Sequence, residues 1–166
     1  MATLSYKPPK NLKDFFKFID KLQKSKKSMG VKVGVLKNST GINKRTGKAK
    51  DITVAEEAYY NCKGVPEKNI PPRNYQQKVI DENLNKWKKD IAKLLKTRTT
   101  LDTCEIMGYI AKDKTQETIS TWKNPPNAPA TIAIKGKNTP LVDFGDLLKS
   151  ITFEVFGGTD TNKEGK

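Results

Sequence analysis

Two proline pairs, Pro71-Pro72 and Pro125-Pro126, bracket a stretch in which apolar residues recur at three- and four-residue spacing. Proline has no backbone N–H, and its ring clashes with the preceding helical turn. Helices must therefore stop at both pairs, and residues 73–124 are expected to carry two long helices. The first long helix is predicted from Asn74 to Lys96, with Tyr75, Val79, Ile80, Leu84, Trp87, Ile91, Leu94 and Leu95 on its apolar face. The second is predicted from Leu101 to Trp122, with Leu101, Cys104, Met107, Ala111, Ile119 and Trp122 facing inward.

The flanks supply shorter elements. Residues 1–10, with Pro8-Pro9, read as a loose N-terminal arm, and Asn11–Lys27 has helical spacing through Leu12, Phe15, Phe16, Ile19 and Leu22. Val31–Leu36 alternates as a strand with one buried face. Residues 38–50 hold three Lys, one Arg and two Gly with little to pack, and are read as a mobile basic loop. Ile52–Cys62 reads as a short helix, with Thr53 and Glu56 spaced as a capping box. After the two long helices, Asn127–Lys137 reads as polar turns, Asp143–Lys149 as one helical turn, Ser150–Phe156 as a strand and residues 157–166 as a polar tail. The fold class expected is α+β: a small, mostly antiparallel sheet packed against two long helices, with an extended basic N-terminal region. Residues 11–156 are expected to be a single domain.

Charge is distributed unevenly. Of a net +14, residues 1–50 contribute +12, from 14 Lys/Arg against Asp14 and Asp20. Such a block suits nucleic acid, an acidic protein surface or anionic lipid, and equally a well-solvated lysine surface. Lys44, Arg45, Lys48 and Lys50 are its members in the expected loop.

The chain contains no histidine, which removes Ser-His-Asp and Cys-His nucleophile systems and most zinc hydrolases. Asp143-Phe144-Gly145 matches the metal-binding tripeptide of kinases, but no Gly-rich or catalytic-loop motif precedes it. Asp143 and Asp146, three residues apart, can share a helical face, where capping and solvation compete with metal binding. Cys62 and Cys104 have no metal-ligand spacing and read as structural thiols. Trp87 and Trp122 fall on apolar helix faces, so packing is favoured over base stacking. Tyr59 and Tyr60 are adjacent on a helix and cannot both point inward, so one faces a partner or solvent. No segment reaches the length of a membrane span. No cofactor, metal or membrane partner is expected, and the chain is read as non-enzymatic.

Three motifs carry a resemblance. The first is Ala55-Glu56-Glu57-Ala58-Tyr59-Tyr60-Asn61-Cys62-Lys63-Gly64. The second is Ile70-Pro71-Pro72-Arg73-Asn74-Tyr75, which opens the long helix. The third runs Asn124-Pro125-Pro126-Asn127-Ala128-Pro129-Ala130-Thr131-Ile132, then Lys135-Gly136, then Pro140-Leu141-Val142-Asp143-Phe144-Gly145-Asp146-Leu147-Leu148-Lys149-Ser150-Ile151. In this order, across about residues 55–155, they resemble the virion-morphogenesis, tail-completion and neck proteins of tailed bacteriophages. Phe144 stands where that family usually carries Thr.

The resemblance implies a structural subunit of a virion that forms a homo-oligomeric ring, hexameric or dodecameric, at the neck or tail top. It implies assembly in the host bacterial cytoplasm, with adjacent head-connector and tail-tube or tail-terminator proteins as partners, and a channel through which DNA passes. The basic residues then meet acidic neighbours or passing DNA. Within this family pattern the candidate assembly residues are Arg73, Tyr59, Tyr60, Asp143 and Gly145, joined by Lys44, Arg45, Lys48 and Lys50. Arg73 suits a bidentate carboxylate contact, within the chain or across a subunit boundary, or a surface position at a helix start. The alternative is a basic nucleic-acid-binding protein.

Overall fold

The computed structural model describes residues 29–36, 40–43 and 47–157. The expected arm, the Asn11–Lys27 helix, Lys44, Arg45 and all of the tail except Gly157 lie outside the described residues. Val31–Val155 forms one compact unit.

The order of elements is β1 (Gly30–Val35), β2 (Thr40–Asn43), β3 (Lys48–Thr53), α1 (Val54–Lys63), α2 (Tyr75–Leu94), α3 (Thr100–Thr121), α4 (Pro129–Lys135), α5 (Asp146–Ser150) and β4 (Ile151–Phe156), with a 3₁₀ turn at Pro66–Lys68. The fold is α+β. β1 pairs with β4, and β2 pairs antiparallel with β3, giving two two-stranded sheets.

Local sequence chemistry sets the helix starts. At α1 the Thr53 hydroxyl accepts from the Glu56 amide, while the Glu56 carboxylate accepts from the Thr53 amide, so the expected capping box forms. Asn74 caps α2 by accepting from the Gln77 amide at 3.1 Å. Thr99 and Asp102 form a second capping box at α3.

The core is assembled from α1, α2, α3, α5 and β4. Val54, Ala58, Tyr75, Ile119, Leu141, Leu147 and Ile151 are its buried members, with Val33, Val35, Cys62, Trp122, Val142 and Leu148 packed against them. The first and third motifs thus meet around Tyr75, the first residue of α2.

Three expectations are corrected. Residues 38–50 are not a loop throughout: Thr40–Asn43 and Lys48–Thr53 form a hairpin, because backbone pairing needs no apolar side chains. Pro129–Lys135 is a helix, not a run of turns. Proline suits the first helical position, where no N–H is needed, and Gly136 closes the helix in the left-handed conformation at φ 69°. In β1 the alternation is present, but Lys32 and Gly34 are the buried positions, and Val33 and Val35 are only half-buried. A two-stranded sheet is too narrow to shield one face completely, and the Lys32 ammonium is itself buried, 3.5 Å from the Glu154 carboxylate.

Candidate assembly surface

Arg73 follows Pro72 directly, and its backbone is held by donation from its N–H to the Asn61 carbonyl at 2.7 Å. This directs the side chain inward. Its Nε donates to the Pro125 carbonyl at 3.0 Å and a terminal nitrogen donates to the Pro126 carbonyl at 2.7 Å. The residue is 5% exposed. Desolvation lowers its pKa, so the two carbonyl dipoles stand in for a counter-ion. The surface reading is thereby corrected, and within the chain the fork meets two backbone carbonyls where a carboxylate was one expectation. Arg73 ties the second motif to the third, joining the two proline pairs that bracket the hairpin.

Gly64 permits the approach that precedes this. At φ 74°, its α-carbon lies so close to the returning chain that a Cβ would sit 2.8 Å from both the Ile70 carbonyl oxygen and the Pro72 nitrogen.

Lys50 on β3 also turns out to be an internal connector. Its ammonium lies 2.8 Å from Glu57 on α1 and 3.3 Å from Asp146 on α5. Burial alone lowers its pKa, but the hydrogen bonds and charges of the two carboxylates outweigh it and leave it raised. Lys48 is exposed on the same strand. Gly145 caps α5 at φ 86°, in the left-handed region, and its carbonyl accepts from the Lys149 amide at 2.9 Å. Asp143 is half-buried two residues before it, and Asp146 faces Lys50. The expected division between the tyrosines is present: Tyr60 is exposed and Tyr59 half-buried, their rings edge-on at 5.8 Å.

The larger surprise is α2. Tyr75 and Val79 are buried, and Trp87 and Leu94 half-buried, as the periodicity predicts. Ile80, Leu84, Ile91 and Leu95, placed on the same face by the sequence, are exposed at 44, 42, 37 and 48%. Leu101 and Tyr109 of α3 are exposed at 47 and 59%. At 100° per residue the four aliphatics of α2 form a stripe beside the seam with α3, on the outer flank of the hairpin. The sequence pattern reports an apolar arc wide enough for two neighbours, and α3 covers one side of it. Among the described residues nothing covers the other.

Neither tryptophan presents an exposed ring, since Trp87 and Trp122 are half-buried with their indole nitrogens buried. An open groove of about 300 Å³ is lined by Gln116, Glu117, Ser120, Leu148 and Lys149, but its Ser120 hydroxyl donates to the Glu117 carbonyl. Among the described residues no group of three Cys, Asp or Glu is placed to hold a metal ion, and no helix is long and apolar enough to cross a membrane.

The chain matches no family model, no curated protein and no solved structure.

Proposed function

We propose that this chain is a structural subunit of a tailed-phage virion, which forms a ring at the neck or tail top and completes the tail or joins it to the head connector. The observation that carries the reading is the uncovered apolar stripe Ile80–Leu84–Ile91–Leu95 on a well-formed helical hairpin. A soluble domain that leaves such a row of aliphatics in water is built to have it covered by a protein neighbour. The ordered phage-like motifs support the same reading, and their prolines, Gly64 and Arg73 act as scaffold. They fix the directions in which the hairpin leaves the core.

The test is electron cryomicroscopy of virions whose genome encodes this chain, with its copies counted by density. A ring between portal and tail tube is expected. Absence of the chain from the virion overturns the proposal.

A second reading, a basic nucleic-acid-binding protein, is favoured by the +12 excess in residues 1–50. It requires DNA affinity that falls steeply with salt. Because Lys50 is held by Glu57 and Asp146, reversing its charge should leave that salt slope unchanged even if DNA binds.

A further inference from the structure

The flanks of the hairpin carry opposite charge. From Lys86 to Arg98, over the second half of α2 and the turn after it, six lysines and arginines stand against a single acid, Asp90, which pairs with Lys86, while Asp81 and Glu82 lie in the first half of the helix. Lys88 is exposed within the apolar stripe, one turn beyond Leu84 and seven residues before Leu95, and forms no ion pair with a described residue. On α3, Glu105, Tyr109 and Asp113 are spaced by four and share one exposed face. Neither Glu105 nor Asp113 has an ion pair among the described residues, whereas the neighbouring Glu117 is paired with Lys114. The buried side of α3 is the opposite one, through Thr103, Met107, Thr115 and Ile119.

We infer that the stripe is covered by a second copy of this chain, docked head to tail, with the Leu84–Lys88–Ile91 flank of one copy on the Glu105–Tyr109–Asp113 face of the next. Charge complementarity selects this occupant. A basic, apolar flank meets an acidic face whose centre is an exposed aromatic, the residue type that anchors protein interfaces. A two-fold pairing of stripe on stripe would set Lys88 against Lys88. The two patches lie on different surfaces of one subunit, so the contact is heterologous and leaves each copy with one free patch of either kind. Repetition closes into a ring when the rotation permits. The inference deepens the ring reading above and rests on it for its biological setting.

The test uses the full chain at the highest soluble concentration, with sedimentation velocity reading association and circular dichroism checking folding. Lys88→Glu alone and Asp113→Lys with Glu105→Lys are each expected to weaken self-association at least about tenfold, because like charges then oppose across the contact. The chain carrying all three changes is expected to recover association, since the opposition is restored with its signs exchanged. Leu84→Asp should abolish association in every background. A wild-type chain that stays monomeric, or single reversals without effect, overturns the inference. So does failure of the combined chain to recover. Recovery in solution with the chain absent from virions would leave the interface standing and remove the neck function. A ring in virions insensitive to these reversals would do the opposite.

Discussion

A Cβ added at Gly108, in the middle of α3, would lie 2.2 Å from Cδ2 of Phe153 on β4. The ring of Phe153 rests on helix backbone there, and Tyr109 meets it edge-on with centroids 4.6 Å apart. Two effects oppose one another in Gly108→Ala. Alanine is the better helix former by about 1 kcal/mol. The overlap forces the ring or the strand to move, at about 1–3 kcal/mol. At 2.2 Å the overlap should win, so Gly108→Ala lowers stability to urea. Combining it with Phe153→Ala should recover part of the loss relative to Phe153→Ala alone, where the helix gains alanine without the clash.

Arg73 is expected to behave as a buried connector. Arg73→Ala leaves the Pro125 and Pro126 carbonyls without their donors and should cost about 2–4 kcal/mol in equilibrium unfolding. Arg73→Lys should rescue little of this, because one ammonium cannot reproduce the fork that reaches two successive carbonyls. Full stability of Arg73→Ala would mean that the link between the proline pairs carries no weight.

Alkaline pH should destabilise the protein through two groups. The Lys50 ammonium has a raised pKa, so its pairing with Glu57 and Asp146 is fully present below the ordinary lysine value and is lost as pH rises through the folded value. Burial pushes the Cys62 thiol up to about 11, so between its ordinary value and 11 the unfolded chain releases a proton that the folded chain retains, and folding weakens over that interval. Melting temperature should fall above about pH 9. Lys50→Met with Cys62→Ala should flatten that fall. At about pH 8, iodoacetamide should label Cys104 well before Cys62, because burial raises Cys104 less and leaves it more accessible. Equal labelling rates would contradict the packing of Cys62 beneath α2.

What was legible in the sequence was local. The Thr53–Glu56 and Asn74 caps depend on residues three apart, and proline is excluded from a helix interior, so the two long helices and α1 are legible directly. Partners distant in sequence were not legible. Arg73 and the Pro125 carbonyl are 52 residues apart, and a basic side chain gives no sign whether it will meet a carboxylate or a backbone oxygen. Lys50 falls in a stretch that reads as mobile, because its carboxylates arrive from α1 and α5 only after folding. The α4 helix did carry a signal, Pro129 at its start and Gly136 just past its end, but seven residues give too few turns for periodicity to show. Periodicity likewise found the apolar arc of α2 without saying how much of it one neighbouring helix would hide.

That last point gives a direct comparison between two aliphatics of one helix. Val79 is 3% exposed and Leu84 is 42% exposed, although both belong to the arc read from the sequence. Val79→Ala removes buried methyl groups and leaves a void, which should cost about 1–3 kcal/mol. Leu84→Ala in the monomer removes a side chain already largely in water and should change stability by less than about 0.5 kcal/mol. Chemical unfolding at low protein concentration checks both. The contrast should shrink as concentration rises, because association covers Leu84 and couples to folding by mass action. A large Leu84→Ala effect at every concentration would instead mean that another part of the same chain covers the stripe.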